Sequence, residues 1–134
     1  MDNLIKFLIL VKNGGRMNSM NIKWMESLKK AWLNKDTYEI ENIFKNTMFY
    51  QEGPFEEKVA DVKGIMELWS EIDKQEIIKL EIKELLSNGN ELVSNWYLKM
   101  KVDNKEYEYD GIYHVVFNAD NECIEFRQWW NANE

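Results

Sequence analysis

At 134 residues, with 45% hydrophobic and 13% aromatic content, the chain is long enough for one domain to bury a core without disulfides or metal, and too apolar for a disordered segment. A formal net charge of −7 argues against a broad nucleic-acid or anionic-membrane surface, which would need clustered lysine and arginine. The single cysteine, Cys123, excludes an internal disulfide and a cysteine-based zinc site; with no secretory signal evident, a reducing cytoplasm is the expected compartment.

Residues 1–16 stand apart. The apolar run Leu4 to Val11 is interrupted by Lys6 and is too short to span a membrane, and Asp2 with no A-x-A-like site speaks against a signal peptide. Gly14-Gly15 before Arg16-Met17 can be encoded by a purine-rich, ribosome-binding-like stretch, so 1–16 is expected to be a translated leader or an appendage, with 17–134 as the domain. From Asn21, the apolar positions Trp24, Leu28, Ala31 and Trp32 predict a helix, capped by Ser19 or Asn21. Asp36 and Glu39 have capping-box spacing ahead of a second helix carrying Ile40, Ile43 and Phe44. Thr47 to Gln51 is a short strand that Gly53-Pro54 must end, and a loop over 52–62 follows. Ile65, Leu68, Trp69 and Ile72 then place the cleanest amphipathic helix over 63–74, with Asp61 as its cap.

The remainder is strand-patterned. Ile78, Leu80 and Ile82 share a face until the phase changes at Glu84-Leu85-Leu86, where a bulge or bend is expected, and Asn88-Gly89-Asn90 turns the chain. Leu92, Trp96, Leu98, Met100 and Val102 share one parity of the next strand, and Asp103-Asn104-Lys105 suits a tight hairpin. Tyr107 to Phe117 carries apolar residues on both faces, as a central covered strand does, and Cys123 to Trp130 closes an antiparallel meander. Three helices, a short strand between the second and third, and four further strands make an α+β layout with helices on one face of a curved antiparallel sheet.

Several local sequences together resemble the nuclear-transport-factor-2-like superfamily, and within it the SnoaL-like bacterial proteins. They are Ala31-Trp32 followed by Asp36, Phe49-Tyr50 before Gly53-Pro54-Phe55, Gly64-Ile65 with Trp69, Tyr109-Asp110-Gly111, and Phe126-Arg127-Gln128-Trp129-Trp130. The resemblance implies a cone whose sheet wraps the long first helix, a pocket at the open end and dimerisation through the outer sheet surface. It implies no single activity, because such scaffolds serve isomerases, dehydratases, cyclases, epoxide hydrolases and binding proteins alike.

Candidate chemistry is sparse. His114, the only histidine, can serve as a general base if it lines the pocket, but the parity holding Tyr107, Tyr109, Tyr113, Val115 and Phe117 is the more apolar, which favours an outward His114. Asp110 can be a carboxylate raised by apolar walls for proton transfer, or a group satisfying backbone donors beside a Gly111 bulge. Arg127 can bind a carboxylate or orient an acid, or form an ion pair or stack on a neighbouring Trp. The aromatics Tyr50, Trp69, Trp96, Tyr109, Tyr113, Trp129 and Trp130 can wall a pocket for a flat, apolar or aromatic ligand while also serving as core. The sequence holds no metal-ligand cluster, phosphate loop or nucleophile elbow, so neither metal nor cofactor is expected. The leading function is a small-molecule pocket protein. A cofactor-free acid/base enzyme of isomerase, cyclase or dehydratase type and a non-catalytic interaction protein are the alternatives. Two of Asp110, His114, Arg127 and Glu52 converging in one concavity would favour the enzyme. Ile112, His114 and Val116 on the outer face are the expected homodimer contact.

Overall fold

The computed structural model describes residues 15–133, with side chains from Asn21 onward. The leader assigned to 1–16 therefore lies outside the described residues except for Gly15 and Arg16, which already belong to the first helix. That helix, α1 (Gly15–Leu33), is followed by α2 (Thr37–Phe44), β1 (Phe49–Gln51) and α3 (Val62–Trp69). A 3-10 segment, Ser70–Lys74, then leads into β2 (Glu76–Asn88), β3 (Glu91–Val102), β4 (Lys105–Phe117) and β5 (Cys123–Ala132). Among the described residues, no helix is long and apolar enough to cross a membrane.

The helix faces follow the apolar spacing. Trp24, Met25, Leu28, Ala31 and Trp32 are the buried stripe of α1. Asn21 is not its cap: it lies inside the helix, buried, and donates its amide to Ser87 Oγ at 2.6 Å, tying α1 to β2. The caps of the two shorter helices stand as expected, with Asp36 accepting from Glu39 N at 3.1 Å and Asp61 from Gly64 N at 2.8 Å. The amphipathic segment 63–74 tightens to 3-10 geometry after Trp69, which keeps Ile72 buried but leaves Leu68 42% exposed.

The sheet has the order β1-β5-β4-β3-β2. Strands β2 to β5 form the expected antiparallel meander, but β1 pairs with β5 in parallel, Tyr50 opposite Phe126, so the whole sheet is mixed. The phase change in β2 is a register shift between Glu84 and Leu86. A second shift between Ile77 and Lys79 turns Ile78 outward, correcting the simple alternation from 78 to 82. Asp103 and Asn104 both adopt left-handed angles (φ 52 and 65), as a two-residue hairpin turn requires. At Gly111 there is no bulge; the glycine is needed because a Cβ there would lie 2.1 Å from the Trp129 carbonyl oxygen and 2.6 Å from Trp96 Nε1.

The core lies between the helices and the inner sheet face. Trp24 meets Phe44 and Phe117 edge-on, and Phe126 stacks on Tyr50 with centroids 5.0 Å apart. On β4, Tyr113, Val115 and Phe117 point inward and are buried, while Asp110, Ile112, His114 and Val116 face outward.

Candidate functional site

The meander and the helices do not close on each other at one end. There a cavity of about 370 Å³ opens between the α3/3-10 segment and the inner faces of β3, β4 and β5. Its walls are buried: Trp32 from α1, Trp69 and Ile72, Trp96 and Leu98 from β3, and Tyr113 from β4. Its rim is more exposed and carries Leu68, Glu56, Glu71 and Trp130. The rings hold one another in place, with Trp96 stacked on Tyr113 at 5.4 Å, Trp32 edge-on to Trp69 at 5.0 Å and Tyr109 edge-on to Trp130 at 5.4 Å.

Glu52 is the half-buried carboxylate of this site. Tyr50 ends on the inward face of β1, and the period of two carries Glu52 to the same side just as Gly53-Pro54 breaks the strand. The Tyr50 hydroxyl donates to Glu52 Oε2 at 2.8 Å. The Glu52 backbone is also fixed: its carbonyl accepts from Trp130 Nε1 at 2.8 Å and from Gln128 Nε2 at 3.3 Å. Burial holds the Glu52 carboxyl above the usual carboxylate range; the Tyr50 bond opposes this rise and the Glu56 charge adds to it. Burial likewise lifts the Tyr50 and Tyr113 phenols well above their usual range, and the Glu52 charge raises both further. A carboxylate between two phenols that stay protonated can accept a proton or hold a positive charge.

Of the aromatic residues singled out in the sequence, Trp69, Trp96, Tyr109 and Tyr113 line the cavity. Tyr50 sits behind its wall, fully buried against Phe44 and Phe126, and acts on the site through Glu52. Trp129 lies on the opposite face of the sheet beside Ile112, and Trp130 takes the inward place. Asp110, His114 and Arg127 are not brought to the cavity. Asp110 is exposed and accepts from Asn95 Nδ2 at 2.9 Å; His114 Nε2 lies 3.1 Å from Glu91 Oε1; Arg127 pairs with Glu125 at 3.2 Å and sits 4.0 Å over the Phe49 ring. Of the four polar residues whose convergence would mark an enzyme, only Glu52 lines the concavity. Glu56, Glu71, Gln75 and Gln128 also line it and carried no periodic signal toward it, while Trp32 showed in the sequence only as part of the apolar stripe of α1.

No family model and no curated protein matches the sequence. Solved structures do match in shape. An LEH-like epoxide hydrolase of M. tuberculosis superposes with a TM-score of 0.71 at 10% identity, over 84% of each chain. An NTF2-like protein of unknown function from Burkholderia pseudomallei gives 0.68 at 10% identity, over 84% of this chain and 91% of that one. A protein provisionally assigned as a SnoaL-like polyketide cyclase, from Shewanella denitrificans, gives 0.64 at 10% identity, over 86% and 90%. The chain has the nuclear-transport-factor-2-like fold, the α+β cone shared with SnoaL-like proteins.

Proposed function

We propose that this is a small-molecule binding protein whose open-ended cavity takes the aromatic or apolar body of a ligand and whose Glu52 meets its polar end. The observation that carries the reading is a cavity of about 370 Å³, of the size that suits a small organic ligand, walled by packed aromatic rings around one carboxylate. Thermal denaturation with phenylbutanol, a neutral aromatic probe, tests it. The wild type is expected to be stabilised at millimolar probe, and Met100→Trp, which fills the cavity from β3, is expected to lose the effect. No stabilisation of the wild type would contradict the reading.

A second reading is a cofactor-free acid/base enzyme of isomerase, cyclase or dehydratase type. It rests on Glu52 alone, a carboxylate with a raised pKa held by Tyr50 against an apolar wall. Its similarity in shape to an epoxide hydrolase and to a provisionally assigned cyclase is compatible with either reading.

We also propose a homodimer through the outer sheet face. Trp129 is 42% exposed there and pairs across strands with Ile112; Val116 and His114 extend the same surface. An aromatic and β-branched patch on two central strands is the kind of surface a second copy covers.

A further inference from the structure

We propose that the cavity binds an organic cation, a protonated or quaternary amine on an aromatic or alkyl body. The proposal rests on the small-molecule reading above and names its ligand class.

The lining is one-sided in charge. Glu52 and Glu56 contribute carboxylates, Glu71 a third that is paired with Lys74 at 3.0 Å, and among the described residues no lysine, arginine or histidine lines the cavity. The neighbouring concavity, about 490 Å³, shares Glu52, Glu56 and Leu68 with it and adds Glu57, Asp61 and Glu67 against Lys58 alone. A ligand thus approaches through a negative field that favours cations and opposes anions.

The hydrogen-bond chemistry points the same way. Several donors at the cavity are engaged by the protein itself: Trp130 Nε1 and Gln128 Nε2 both donate to the Glu52 carbonyl, and Trp32 Nε1 donates to Gln75 Oε1 at 2.9 Å. The indole nitrogens of Trp69 and Trp96 are sealed from solvent, Trp96 Nε1 lying against Gly111. The carboxylates offer acceptor capacity beside ring faces, the two features that attract an ammonium group, while the Gln75 amide and the Tyr109 hydroxyl that also line the cavity are uncharged. A neutral hydroxyl can replace a hydrogen bond of water to Glu52 but cannot balance its charge, an anion would add repulsion, and a cation supplies both the hydrogen bond and the opposite charge. Among the described residues, no three acidic, histidine or cysteine side chains are grouped to hold a metal ion, so the cation that fits is organic.

Tryptophan-fluorescence titration near neutral pH with phenylbutylamine, phenylbutanol and phenylbutyrate tests this with one hydrocarbon body and three head-group charges. The amine is expected to bind about tenfold more tightly than the alcohol, and the butyrate most weakly. Glu52→Gln, which keeps an acceptor for Tyr50, is expected to bring the amine and alcohol affinities within about twofold of each other. Should that variant fail to fold, Glu56→Gln on the rim is expected to cut the amine preference by about half. Alcohol equal to or tighter than amine, or butyrate tightest, overturns the cationic ligand and leaves the pocket reading standing. Binding of none of the three at millimolar concentration overturns both.

Discussion

Glu52 is the half-buried carboxylate that lines the cavity. Burial raises its pKa, the Tyr50 hydroxyl partly restores the charged form, and the adjacent Glu56 disfavours it. As a base it must be deprotonated, so the raised pKa moves the onset of any base-catalysed rate upward in pH. If Glu52 transfers protons, the ring opening of nitrobenzisoxazole, which needs only a base in an apolar site, will run at least about tenfold faster in the wild type than in Glu52→Gln. Its rate will rise with a midpoint above the ordinary 4.5. Equal rates in the two proteins, or a plateau reached by pH 4.5, would reduce Glu52 to a binding group. Residue-level legibility was uneven here. The inward parity of Tyr109 and Tyr113 could be read from alternation, but Glu52 sits where a three-residue strand gives way to loop, too short for a period to show. Trp129 and Trp130 are adjacent, and only the phase set by buried Phe126 assigns the inward place to Trp130.

At the scale of elements, what the sequence makes periodic is what it makes legible. The stripe of α1, the caps Asp36 and Asp61, the hairpin at Asp103-Asn104 and the break in β2 all follow from local spacing and turn chemistry. The parallel pairing of β1 on β5 does not, because a partner more than seventy positions away leaves no local trace. Neither does the reason for Gly111, which depends on an indole from the neighbouring strand. That close approach makes a prediction. Gly111→Ala places a Cβ against the backbone oxygen of Trp129 and the Trp96 ring, and is expected to destabilise the domain by about 3 kcal/mol. Gly89→Ala, at a left-handed φ of 59 with open space around it, is expected to cost about 1 kcal/mol. Equal losses in chemical denaturation would show that β4 and β5 yield more readily than their packing implies.

On the scale of the whole molecule, the sheet presents two different faces. The inner face carries core and cavity; the outer face carries Trp129, Ile112, His114 and Arg127, with His114 beside Glu91 and Arg127 paired with Glu125. The fold class was legible because helices and strands segregate along the chain, and the cavity was not, because it is bounded by residues from six separate elements and the loop after β1. Sedimentation at micromolar protein is expected to show a dimer, and Trp129→Glu, which places a charge in the proposed contact, is expected to give a monomer with unchanged helix and strand content. A wild-type monomer would remove the outer face as an interface.

The cavity as ligand site is the central claim, and the six tryptophans test it directly. In a nitrogen-15 correlation spectrum of the indole N–H groups, titrated with phenylbutylamine, the signals of Trp32, Trp69, Trp96 and Trp130 are expected to shift together with one dissociation constant. Those of Trp24, in the core away from the cavity, and Trp129, on the outer face, are expected to stay in place. Movement of Trp129 with the four cavity indoles unmoved would place the ligand on the wrong side of the sheet and contradict the account.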